Sequence, residues 1–177
     1  EVYAQHIDEE GVVKWDVNGL LLGTENSGHQ LAEVISGPNT SGEFVVLWNL
    51  LNGNQSEAAL KYQRVSSDGL LLEGNAGATI IPMNAQLQNG SQAVQIADET
   101  YYFYRNFFPG STYLGSLNML AIDGQGEQVW DNPTEISNSQ NSKSHAFLSA
   151  FHSEQAVVTW SDELGSDTRV MAQNIFT

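Results

Sequence analysis

The sequence predicts an all-β fold built on an internal repeat of about 57 residues, and three observations carry that expectation. A turn glycine recurs at Gly11, Gly69 and Gly126, 58 and 57 residues apart. An aromatic anchor recurs at Trp48, Tyr104 and Trp160, spaced by 56 and 56. Helical periodicity is weak throughout, and Gly and Asn punctuate the chain densely. Two independent landmarks that keep one period make chance a poor explanation.

Each repeat reads as four short strands, A to D. Strand A is expected at Leu31–Ile35, Ala93–Ala97 and Ala146–Phe151. Strand B is the anchor-bearing run: FVVLWN (Phe44 to Asn49), YYFYRN (Tyr101 to Asn106) and AVVTWS (Ala156 to Ser161). Strand C lies in VYAQHIDEEG (Val2 to Gly11), LKYQRVSSDG (Leu60 to Gly69), LNMLAIDGQG (Leu117 to Gly126) and VMAQNIFT (Val170 to Thr177). A tight turn at the recurring glycine follows, and strand D is placed at Val12–Trp15 and its counterparts. Trp15 and Trp130 each stand four residues after the turn glycine, where the middle repeat has Glu73. Gly19 and Gly77 recur four residues further on, where the third copy has Thr134.

Three β repeats fit either a β-trefoil or part of a β-propeller. Strand B favours the propeller. Phe44, Val46 and Trp48 face one way and Val45 and Leu47 the other, so both faces are apolar. Tyr102 and Tyr104 against Tyr101 and Phe103 repeat the pattern, as do Val158 and Trp160 against Val157. A strand apolar on both faces is covered on both, as a blade sandwiched between neighbours is. The expected segments are 1–28 (strands C and D), 29–86, 87–141 and 142–177 (strands A to C), in a single repeat domain.

The segments VYAQHIDEEGVVKW and TWSDELGSDTRVMAQNI resemble repeats of bacterial secreted and surface proteins. Those repeats read Trp-x-Asp-x-Arg, then Tyr-Ala-Gln-Arg-Ile-Asp, then x-x-Gly-x-x-x-Trp. His6 replaces the Arg in the first copy, and the middle copy departs further. The resemblance implies a propeller-like array in an adhesin or an accessory region of a secreted enzyme. Propellers close with about four to eight blades, so three repeats imply an incomplete ring. A larger propeller, or blades from another copy or chain, would complete it; two such chains would make six blades.

Composition narrows the partners. Six Lys and Arg stand against 21 Asp and Glu, a net charge of −15, which argues against nucleic acid and anionic membranes. With no Cys there is no disulfide, thiolate metal site or Cys nucleophile. No apolar run reaches transmembrane length, and no signal-peptide pattern stands at the start. A first residue of Glu rather than Met is expected of a processed or excised chain, and the Asn, Gln, Ser and Gly content of a secreted or cell-surface one.

No ionisable constellation suggests catalysis, and the chain is not expected to be an enzyme. His29 and His145 both open strand A, which lines the channel of a propeller; they read either as ligand contacts or as histidines satisfying loop backbone. Gln5, Gln63 and Gln173 recur on strand C and are expected to bond loop backbone. Asp8, Asp16, Asp123 and Asp131 are expected to form turns. The B–C loops, Leu50–Glu57, Phe107–Ser116 and Asp162–Asp167, differ most among copies, and loops on a rigid scaffold carry function. Phe107, Phe108 and Tyr113 read either as an aromatic platform for a sugar or protein, or as cover for their own blade edge. Asp162, Glu163 and Asp167 read as a Ca²⁺ cluster or as a solvated acidic loop; without an EF-hand pattern no cofactor is expected. The leading function is a noncatalytic adhesion or assembly module. Lectin-like carbohydrate binding is the first alternative, and a glycoside hydrolase, which would need paired carboxylates, the second.

Overall fold

The structure, a computed structural model, describes residues 1–24, 29–86, 88–107, 111, 114–149 and 155–176, with the backbone alone at 32–34, 88–91, 145 and 176. The described chain is all-β. Its strands are β1 (Tyr3–Ala4), β2 (Leu20–Leu21), β3 (His29–Ile35), β4 (Phe44–Leu51), β5 (Ala58–Val65), β6 (Ala78–Asn84), β7 (Gln88–Ile96), β8 (Glu99–Phe107), β9 (Gly115–Ile122), β10 (Thr134–Ser137), β11 (Ser142–Leu148), β12 (Gln155–Leu164) and β13 (Asp167–Phe176). They form four small antiparallel sheets: β1-β2, β3-β4-β5-β6, β7-β8-β9-β10 and β11-β12-β13, each strand beside its neighbour in sequence. The chain divides into two compact units, 1–85 and 86–177.

Register shows that the sheets are built alike. Trp48 pairs with Lys61, Tyr104 with Asn118 and Trp160 with Met171. The three anchors therefore occupy one place in strand B, as their spacing implies. Strand A starts earlier than expected in all three sheets, at His29, Gln88 and Ser142. The expected end of its third copy, Phe151, lies outside the described residues.

Strand D required correction. Val12–Trp15 and its counterparts make only single bridges back to strand C, Ile7 to Val13, Val65 to Leu71 and Ile122 to Gln128. The chain then turns again, and the fourth strand forms beyond it, at β2, β6 and β10. The second turn is what limits the first run. Gly19 and Gly77 have φ of +86° and +65°. A Cβ on Gly19 would lie 3.0 Å from Ala4 O, and one on Gly77 2.7 Å from Tyr62 O. Ala4 and Tyr62 hold the same place in strand C, so each glycine lets the chain cross that strand closely before strand D begins. Strand β6 contains Pro82, which an edge strand tolerates because it needs no outward N–H.

Each unit has its own core. In unit 1–85, Val2, Leu22, Val46, Trp48 and Val65 pack together, with Ala4, Trp15, Leu20 and Leu71 against them. Trp48 is fully buried, and a Cβ on Gly23 or Gly77 would crowd its ring. In unit 86–177, Tyr101, Phe103, Leu117, Met119 and Ala121 of one sheet meet Ala146, Leu148, Ala156, Val158, Trp160 and Ile175 of the next. The Leu148 N–H donates to Gln92 Oε1 (2.7 Å) across the same pair of sheets. Both faces of β4 and β8 are buried, as their patterns predict. Strand β12 departs from that expectation: Ala156, Val158 and Trp160 are buried, but Val157 on the other face is 43% exposed.

Candidate functional site

The turn after strand C is the most regular device in the chain. Asp8 Oδ1 accepts the Val12 N–H (2.7 Å), Ser66 Oγ accepts the Leu70 N–H (3.0 Å), and Asp123 Oδ1 accepts the Glu127 N–H (2.9 Å). Gly11, Gly69 and Gly126 complete these turns at φ of +80°, +83° and +90°, a conformation that glycine adopts freely. Asp8 and Asp123 thus form turns through their side chains, as expected. Asp16 acts differently: its carbonyl accepts the Gly19 N–H.

A glutamine then closes the return. Gln5 Nε2 donates to Asp16 O (2.7 Å), and Gln5 Oε1 accepts the N–H groups of His6 (2.9 Å) and Trp15 (3.3 Å). Gln63 Nε2 donates to Gly74 O (2.6 Å), and its Oε1 accepts the Glu73 N–H (2.8 Å). In both, the amide bridges residues ten and eleven positions ahead. The expected backbone role of these glutamines is what the first two perform. The third repeat has Leu120 in this place.

Within this common frame the filling changes. In the first return the His6 and Trp15 rings meet edge to face with centroids 5.7 Å apart. Trp15 Nε1 donates to Ser67 O (3.2 Å), seating the indole on the turn of the middle repeat. Gln5, His6, Ile7, Trp15, Ile35 and Phe44 surround a cavity of about 330 Å³. His6 Nδ1 is buried there without a hydrogen-bond partner. In the second return Arg64 stands in the place of His6 and Glu73 in that of Trp15. They form an ion pair (Nε to Oε1, 2.5 Å), with Glu43 3.6 Å from the guanidinium.

A second polar cluster lies in unit 86–177. Lys143 is buried, and its ammonium donates to the carbonyls of Gly115 (2.7 Å), Asn141 (3.2 Å) and Ser139. Desolvation pulls its pKa below the ordinary lysine value, against the opposing pull of Asp162 and Glu135. Arg105 donates to Lys143 O (2.6 Å) and lies over the Phe107 ring, 5.1 Å from its centroid. Lys143 is thus a pin that ties β9 to the start of β11. Neither this cluster nor the His6–Trp15 cavity was singled out as a site in the sequence. Substitution of both members of one pair, His6 with Trp15 and Arg64 with Glu73, was the signal for the cavity.

The sequence-derived candidates are dispersed. Phe107 is half-buried at the end of β8, while Phe108 and Tyr113 lie outside the described residues. His29 is exposed at the start of β3, opposite Leu51. Ser142 pairs with Glu163, the counterpart of Leu51, so Ser142 and not His145 is the equivalent of His29. His145 sits where the β11 register shifts, between Ser144 and Phe147, and its side chain is outside the description. The acidic loop is also corrected: Asp162 and Glu163 belong to β12, and only Gly165 and Ser166 connect it to β13. Consecutive strand residues point to opposite faces. Asp162 accepts from Ser139 and Glu163 from Ser144. Among the described residues no three His, Asp or Glu side chains are grouped to hold a metal ion. The chain matches no protein-family model and no curated protein sequence.

Proposed function

We propose that this chain is a noncatalytic binding and structural module of a secreted or cell-surface protein, its sheets acting as successive blades of a propeller-like array with an adhesion or assembly role. One observation carries the reading: a fixed backbone frame holds different side-chain pairs in successive returns. A scaffold that keeps its turns and changes what they present is suited to recognition. The antiparallel sheets, paired strand to next strand and stacked face to face inside each unit, support the blade reading.

A second reading, carbohydrate recognition, is favoured by the His6–Trp15 cavity. Its volume suits one small ring, its walls are indole, phenyl and isoleucine, and an apolar sugar face stacks on such walls. A glycan array followed by titration calorimetry tests both readings. Saturable binding abolished by Trp15→Ala, with the circular dichroism spectrum kept, is the expected result for carbohydrate. Binding to a protein surface that survives Trp15→Ala leaves the module reading alone. Turnover of chromogenic glycosides by the purified chain would contradict the noncatalytic reading.

A further inference from the structure

Folding divides the charges of this chain by sign. Among the described residues no Asp or Glu is buried, and eleven are exposed. Of the six Lys and Arg, only Lys14 and Arg169 are exposed. The other four serve the interior. Lys61 is buried on β5, and Lys143 gives its ammonium to three backbone carbonyls. Arg64 is held between Glu73 and Glu43, and Arg105 donates to Lys143 O and lies over the Phe107 ring. Both cations left outside already face an acid: Lys14 pairs with Asp8 (2.9 Å), and Arg169 stands opposite Asp162 in its sheet. Glu9 and Asp68 in one unit, and Glu127 and Asp131 in the other, are exposed and make no ion pair among the described residues.

We propose that ionic strength controls the folded state, so that the chain reaches full stability only in a saline medium. In the unfolded chain the few cations mix with the acids and offset them. Folding draws most of those cations inward and leaves the acids on the surface, so the surface is more one-signed than the net charge of −15 alone conveys. Self-repulsion of one-signed charge opposes the compact state. Salt screens charges exposed to water and acts far less on buried groups. Added salt therefore relieves the repulsion among the outer acids. The Lys143 cage and the Arg64 ion pairs, which hold the fold from within, keep their strength. Screening is a property of the whole surface and needs no bound ion, so monovalent salts act alike. The inference stands apart from what the chain binds.

Thermal unfolding of the full chain, followed by circular dichroism, tests it. Sodium chloride is raised from about 10 mM to about 0.5 M, over which the screening length falls from roughly 30 Å to under 8 Å. The expected result is a midpoint that rises by about 5 °C or more. Potassium and tetramethylammonium chloride give the same rise at equal ionic strength. The fourfold variant Glu9→Lys, Asp68→Lys, Glu127→Lys and Asp131→Lys roughly halves the net charge of −15. It melts higher than the parent at low salt and loses about half of the salt response. The milder set Glu9→Gln, Asp68→Asn, Glu127→Gln and Asp131→Asn moves both readings the same way by less. A midpoint that is flat or falls with sodium chloride overturns the proposal. So does a rise produced by about 1 mM Ca²⁺ but not by the monovalent salts, which marks a bound ion. A rise with sulfate alone, which marks exclusion of the salt from the surface, overturns it too. The same holds for a salt response that neither set of substitutions reduces.

Discussion

The returns at Asp8–Gly19 and Ser66–Gly77 follow one backbone path and are filled by opposite chemistry. Each has a capped turn, a glutamine clamp and a glycine that crosses strand C. One is filled by an imidazole and an indole beside a cavity, the other by a guanidinium between two carboxylates. Backbone hydrogen bonds and left-handed glycines therefore fix the path, and the side chains that fill it are free to differ. The middle repeat, which looks degraded as sequence, is intact as structure.

The largest expected effect separates the crossing glycine from the turn glycine. Gly77→Ala should cost about 3 kcal/mol, since its Cβ would overlap Trp48 and approach Tyr62 O in a left-handed backbone. Gly11→Ala, with open space around it, should cost only about 1 kcal/mol. Urea denaturation measures both, and equal losses would break the distinction. The glutamine clamp comes next. Gln63→Leu removes a fully buried amide that holds the Glu73 N–H and the Gly74 carbonyl and should cost about 2 kcal/mol, whereas half-buried Gln5→Leu should cost about 1 kcal/mol. Arg64→Ala leaves Glu73, with 14% of its side chain exposed, without its cation, and should cost between about 1 and 2 kcal/mol. The double change Arg64→His with Glu73→Trp should recover part of that loss, a coupling that a double-mutant cycle reads directly.

The smallest effect is a difference in pH response. The Lys14 ammonium, and then the Val12 N–H, hold the Asp8 carboxyl below its ordinary value of 3.8. A folded pKa below the unfolded one means stability present above 3.8 and lost as the pH falls through the lower folded value. Ser66 has no titrating group in the same place. Acidification below that value should therefore shift the Val12 amide resonance and not that of Leu70; parallel shifts would contradict the comparison.

Much of this was legible because it is local. The spacing of Trp48, Tyr104 and Trp160 marked strand B, and Asp8–Gly11 and Asp123–Gly126 carry their turn chemistry in adjacent residues. Strand D was misplaced because Val12–Trp15 is apolar enough for a strand, while the turn that follows it depends on how closely Gly19 approaches Ala4. The pairing of His29 with His145 failed because the third strand A begins three residues before His145: Ser142 pairs with Glu163, the counterpart of Leu51 opposite His29, and both strands then carry the same one-residue register shift. The cavity needed Ile35 and Phe44, far from Trp15 in sequence, and the Lys143 cage needed Gly115 and Ser139 brought together by folding. No short window of sequence contains those contacts.

Residue-resolved amide hydrogen exchange tests the common frame most directly. The N–H groups of Val12, Leu70 and Glu127, which donate to Asp8, Ser66 and Asp123, should all exchange slowly and to similar degrees despite the different residues around them. Exchange at the free-chain rate in one return, with protection in the others, would contradict a shared frame.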